Sequence, residues 1–177
     1  GVIWAPVNCG YHATDFKWGK LYQWGRKYGQ GYITPYYADK IGSIIEPGPV
    51  NILEGESMNN ADVFFARLDY PDSGMSWRSL TWSKQSADNL WNVGTEENPV
   101  KTEYDPCPVG WRVPTYAELD ELNNNYSSWT TDDNGQSGRW FSGPNSYTAT
   151  VPQVFFPAAG YRHYNDGNAY YRGYYGH

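Results

Sequence analysis

Apolar and polar positions along the chain predict a few short elements joined by long loops. Trp4 to Cys9 alternates weakly and reads as a first strand. Leu21, Trp24 and Tyr28 recur at i, i+3 and i+7, one face of a helix over Gly19–Tyr28, which Gly25 weakens. Residues 30–60 carry Pro35, Pro47 and Pro49 among several glycines and read as an irregular excursion. Val63–Leu68 and Ser76–Trp82 read as short strands, and Ser86–Trp91 as one or two helical turns. The sharpest local signal is the capping box of Thr115 and Glu118, in which each residue satisfies a backbone N–H of the other. Pro114 keeps the approach extended. Leu119 and Leu122 then share a face, so the helix is predicted from Tyr116 to Asn123. Thr130–Gly138 reads as a turn. Arg139–Ser142, Ser146–Thr150 and Val154–Phe156 read as strands, the last two paired about Pro152.

Few aliphatic residues lie on these faces. The 177 residues include 9 Trp and 17 Tyr, so the core must be assembled from rings whose N–H and O–H groups need partners. With 19 Gly and 12 Pro, turns outnumber long helices. The length suits one domain, here with an irregular insertion over about 30–103. A net charge of −6 and the lack of a basic stripe speak against nucleic acid as a partner. No apolar run reaches membrane-spanning length. The start at Gly1 reads as a processed or excised module of something larger.

The tail departs most from the rest. Six of the 17 tyrosines lie in Tyr161–His177, the last seventeen residues, interleaved with His163, Asn165, Asp166, Asn168 and His177 and with Gly167, Gly173 and Gly176. Tyrosine supplies rigid contact area at low entropic cost, and Asn, Asp and Gly adapt around it, so the composition is that of a binding surface. Changing the first adenine of an Asn codon, AAC or AAT, gives only Tyr, His or Asp, so Asn and these three share one origin. They make up 11 of these 17 residues, as expected for a run of Asn codons whose adenines are randomised. A Tyr-rich sheet surface is the plainer explanation.

Enzymatic signals are weak. His12, His163 and His177 belong to no motif with a nucleophile or carboxylate pair, and no cofactor motif is present. Cys9 and Cys107 lack a histidine at zinc-ligand spacing, which leaves one disulfide or two buried thiols. Tyr164-Asn165-Asp166 has no Glu-Pro-Asn or Gln-Pro-Asp partner upstream for calcium, and Glu97-Asn98-Pro99 has the wrong order. Asp132-Asp133-Asn134-Gly135 lacks the later Glu of a calcium loop and reads as a turn.

The string Asp105-Pro-Cys107-Pro-Val-Gly-Trp111-Arg-Val-Pro-Thr115, followed by Ala117-Glu118-Leu119, resembles the Fibrobacter succinogenes major paralogous domain of Bacteroidetes surface proteins. Trp4–Gly10, Gly19–Arg26 and Phe156–Arg162 resemble further parts of it, in the same order. The resemblance implies an α+β, C-type-lectin-like fold: two helices, small twisted antiparallel sheets and long loops. It gives Cys9, Cys107, Trp111, Thr115 and Glu118 structural roles. Two features depart from it. Residues 30–103 exceed the family's usual spacer, and a Tyr-Trp-Ser-Ser-like strand followed by a closing strand does not come after the aromatic-glycine stretch.

The tail is also similar to the variable region of retroelement-diversified C-type-lectin-like proteins. That similarity implies a ligand-binding surface of His163, Tyr164, Asn165, Asp166, Asn168, Tyr170, Tyr171, Tyr174, Tyr175 and His177, with Gly167, Ala169, Arg172, Gly173 and Gly176 as fixed frame. The expected partner is a protein or glycan receptor on a cell surface, and the expected setting is extracellular, on a cell or a phage virion. The alternatives are an adhesin or structural domain of a pilus tip or lipoprotein, and a fixed carbohydrate-binding domain.

Overall fold

In the computed structural model, residues 2–14, 16–29, 31, 45–48, 64–67, 89–124, 127–131, 135–142, 153–163 and 168–175 are described. The predicted strand at Ser76–Trp82, the predicted strand at Ser146–Thr150 and its turn about Pro152, and most of Ser86–Trp91 lie outside these residues.

The helix forms where the capping box places it, as α1, Tyr116–Asn123. Thr115 Oγ1 accepts from the Glu118 N–H at 3.3 Å, and Glu118 Oε2 accepts from the Thr115 N–H at 2.9 Å. Such a cap is worth about 1 kcal/mol. Arg112 then grips both carboxylate oxygens of Glu118. This guanidinium, with help from the Thr115 N–H, holds the Glu118 carboxyl below the usual carboxylate range. α1 buries none of its residues, so its cap and the Arg112–Glu118 pair define it more than an apolar face does.

Four small sheets complete the described structure, giving the chain a mixed α+β character. β1 (Ile45–Gly48) and β2 (Phe64–Arg67) pair in parallel, unlike the all-antiparallel expectation. β3 (Asn92–Gly94) and β4 (Pro99–Lys101) form an antiparallel pair. The largest sheet is an antiparallel meander of β5 (Ser127–Thr131), β6 (Ser137–Ser142) and β7 (Gln153–Pro157). β8 (Tyr161–Arg162) and β9 (Ala169–Tyr170) form the last pair. The turn expected over Thr130–Gly138 is shorter than predicted. Thr130 and Thr131 finish β5, and Ser137 and Gly138 begin β6.

Two predicted elements do not form. Trp4–Cys9 makes no strand, and Gly19–Tyr28 makes no helix, leaving α1 as the one helix among the described residues. Gly19 and Gly25 adopt φ +81° and +79°, outside the right-handed helical region. A side chain at Gly25 would run into Leu90. The segment is thus bent to admit a distant residue, and its periodicity serves packing against 89–91. Trp24 meets Trp91 edge-on at 4.7 Å, and Trp91 Nε1 donates to the Arg26 carbonyl at 3.2 Å.

The described core is one of rings and small residues. Trp4, Phe141 and Phe156 form an edge-to-face chain, with centroids 5.7 and 5.5 Å apart, and Trp140 meets Phe155 at 5.0 Å. Gly138 lets β6 and β7 close up, because a Cβ there would strike the Phe156 carbonyl. Next in the chain, Ala158 and Ala159 are buried.

Candidate functional site

The Tyr-rich tail is held by its backbone and leaves its rings outside. Tyr161 pairs with Tyr170 across the β8–β9 ladder, and the His163 N–H donates to the Asn168 carbonyl. Beyond β9 the chain turns back: the N–H groups of Tyr174 and Tyr175 both donate to the Tyr171 carbonyl, at 3.0 Å. Two further bonds strap this turn to the buried stretch after β7. Gly173 N–H donates to the Ala158 carbonyl and Gly160 N–H to the Tyr175 carbonyl, each at 2.8 Å. Gly173 has φ +85°, which a glycine adopts without strain. Arg172 lies over the Trp18 ring, 5.7 Å from its centroid, while its neighbours face water. Arg172 and Gly173 thus contact the body of the protein, Arg172 through its side chain and Gly173 through its backbone.

The rings form a connected surface. Tyr170, Tyr171, Tyr174 and Tyr175 are 38, 51, 75 and 54 % exposed. Tyr171 meets Tyr175 edge-on at 5.2 Å, and Tyr161 lies 5.9–6.1 Å from Tyr171 and Tyr170. His163 meets the Tyr170 ring at 6.0 Å. Of the expected surface, His163, Asn168, Tyr170, Tyr171, Tyr174 and Tyr175 are therefore brought together. Tyr164, Asn165, Asp166 and His177 lie outside the described residues. Tyr171 has φ +60°, a left-handed conformation that a bulky residue rarely adopts. Such strain persists where surrounding structure imposes it and clusters at functional sites.

Three neighbours of this surface lie outside the expected set. Tyr161 sits amid the tail rings, yet its Gly-Tyr-Arg setting reads as scaffold. Trp129 on β5 and Arg139 on β6 face each other across the ladder and are both exposed. With Ser137, Gly173, Tyr174 and Tyr175 they line an open cleft of about 720 Å³ that continues the tyrosine surface. The available signal was a lone tryptophan among Ser and Thr in Ser-Ser-Trp-Thr-Thr, an apolar ring on a polar strand.

The residues given structural roles gather elsewhere. Asp105 is 1 % exposed. It accepts from Lys101 Nζ at 2.8 Å and from the N–H groups of Cys107 and Val113 at 2.7 and 2.8 Å. Lys101 also donates to the carbonyls of Cys107 and Trp111. This hub folds the Cys107–Val113 loop through a turn at Pro108–Trp111, where Gly110 takes φ +86°.

Cys9 and Cys107 are two half-buried thiols in contact rather than a bridge. As a thiol, Cys9 donates to the Pro106 carbonyl at 3.2 Å, and it lies 3.3 Å from the Tyr22 hydroxyl. Donation from the Cys107 thiol, and then from Tyr22, lowers Cys9 to about 6 despite its burial. The contact with Cys9, together with burial, raises Cys107. Tyr22 is raised chiefly by burial. A depressed folded pKa adds stability that is present above the unfolded value and lost as pH falls through the folded one. Cys9 therefore makes stability climb from about pH 6 toward about 9. The raised Cys107 and Tyr22 make it decline above their ordinary values. In Cys107→Ala the climb should flatten, as urea midpoints measured across this range would show. An unchanged profile in the variant would refute the shared-proton pair.

Among the described residues, no three of His, Cys, Asp and Glu come together to hold a metal ion. No described helix is long and apolar enough to cross a membrane. Compared with known families, characterised proteins and solved structures, the chain matches none.

Proposed function

We propose that this chain is a non-enzymatic recognition module with a C-type-lectin-like scaffold. Its Tyr/His/Asn/Asp surface over residues 163–177 binds a protein or glycan receptor, and retroelement-directed mutagenesis diversifies that surface. The observation carrying this reading is the separation of frame from display in the tail. Backbone bonds to Ala158 and Gly160 fix the chain, whereas four tyrosine rings stand 38–75 % exposed. On such a frame exposed side chains change at little cost in stability, because the fold is carried by the backbone bonds. Large exposed rings in a contiguous patch also supply the anchors that dominate binding energy. The setting that uses such a device is a bacterial surface or a phage virion.

Sequencing the locus tests the diversification half. The expected result is an adenine-rich near-copy of the gene's 3′ end beside a reverse-transcriptase gene. Sibling copies should differ at the codons of His163, Tyr164, Asn165, Asp166, Asn168, Tyr170, Tyr171, Tyr174, Tyr175 and His177. A locus with neither feature removes diversification and leaves the binding surface to be judged by binding.

A further inference from the structure

The cleft beside the tyrosine surface has a chemistry of its own. We infer that the space between Trp129, Arg139, Tyr174 and Tyr175 binds a carboxylate-bearing sugar ring, with Arg139 gripping the carboxylate and the aromatic rings flanking the pyranose. This deepens, and rests on, the reading of the tail as a binding surface.

Three observations carry it. First, the size fits: about 720 Å³ lies within the usual range for small-ligand sites and accommodates one or two sugar rings. Second, the walls fit. Trp129 is 48 % exposed and Tyr174 and Tyr175 more so, so aromatic surface is open to a ligand. The negative face of an aromatic ring attracts the weakly positive C–H edges of a pyranose, and Ser137 and the tyrosine hydroxyls suit its hydroxyl groups.

Third, the charge fits. Arg139 Nη1 donates to Ser127 Oγ at 2.9 Å, and no carboxylate pairs with Arg139 among the described residues. In a chain of net charge −6 this leaves an exposed guanidinium facing a cleft whose described lining residues include no acidic one. Guanidinium binds carboxylate through two parallel hydrogen bonds, with geometry that a lysine cannot reproduce. An acidic peptide is the less favoured occupant. An aspartate side chain loses more rotamer freedom on binding than a carboxylate fixed to a rigid pyranose, and it brings no ring for the aromatic walls to flank.

The test is saturation-transfer NMR and calorimetry on the intact chain, with methyl β-glucuronide and a glucuronate-containing tetrasaccharide as probes. Methyl β-glucoside is the neutral control and an aspartate-rich peptide the competitor. The acidic sugars should bind at least about tenfold more tightly than the neutral one, as expected for a charge-assisted bidentate contact. Arg139→Gln should erase that preference, Arg139→Lys should recover only part of it, and Trp129→Ala should weaken acidic and neutral sugars alike. Equal binding of uronide and glucoside, a preference surviving in Arg139→Gln, or binding of the peptide in place of the sugars would overturn the assignment. Failure of the underlying surface reading shows in a different quantity, a large fall in melting temperature when the tail tyrosines are replaced. Circular dichroism of each variant separates misfolding from lost contacts.

Discussion

Replacing Asp105 with alanine should lower stability by roughly 3–5 kcal/mol, the range found when one partner of a buried charged network is removed. The carboxylate is 1 % exposed and has three donors, so the substitution strands the N–H groups of Cys107 and Val113 together with the Lys101 ammonium. Lys101 is 31 % exposed and can turn partly to water, which keeps the loss toward the lower end. For a chain of this size each kcal/mol shifts the midpoint by about 2–4 °C, so thermal unfolding followed by tryptophan fluorescence should move by roughly 6–20 °C. Asp105→Asn is the informative companion. It keeps the volume and one acceptor oxygen but points an NH₂ group at an N–H, so most of the loss should remain. An alanine variant within about 1 kcal/mol of the parent would show that the hub contributes no more than an ordinary hydrogen bond.

The same hub shows what sequence alone reveals. The Thr115–Glu118 box was legible because its signal spans four residues and its bonds are local. α1 accordingly has the predicted bounds. Asp105 lay inside the signature string, but its three partners are revealed only when the loop folds back on it. The Gly19–Tyr28 periodicity misled for a related reason. Leu90, 65 residues after Gly25, occupies the space a side chain at Gly25 would need, and a helix lost to a long-range contact. Ser127–Thr131 escaped detection as a strand because four of its five residues are Ser or Thr, and pairing with β6 rather than an apolar alternation holds it.

The proposed binding surface divides along the same line. Its tyrosines announced themselves by composition, which requires no knowledge of the fold. Trp129 and Arg139 join them only through the β5–β6 register, a pairing across ten residues that no local pattern encodes. The frame was partly legible through its glycines. The contacts that tie it down were not: Arg172 over Trp18, Asn8 Nδ2 donating to the Trp18 carbonyl at 3.2 Å, and Cys9 against Cys107. Together they link the tail, through the first twenty residues, to the loop that Asp105 organises.

The second large effect concerns binding rather than folding. In a chain carrying Tyr170→Ser, Tyr174→Ser, Tyr175→Ser and Tyr171→Asn, affinity for the receptor should fall by more than about a hundredfold, because truncating two or more anchor rings removes at least ~2 kcal/mol each. Stability should change by only about 1–2 kcal/mol. Contacts such as Tyr171–Tyr175 lie within the patch. The straps at Ala158 and Gly160 are backbone bonds that the substitutions leave intact. Asparagine is chosen at 171 because that position has φ +60°, where Asn is tolerated and Tyr is strained, so the change returns part of what the lost ring contacts cost. Retention of the labelled chain on a panel of bacterial cells and on a glycan array gives the binding arm, and thermal melting gives the other. A steep fall in melting temperature would mean that the rings pack the domain or a neighbour, the structural reading of the tail. Unchanged retention with unchanged melting would place recognition on another face. Only lost retention on a chain that still melts near the parent temperature fits a surface whose rings are carried for contact and whose backbone carries the fold.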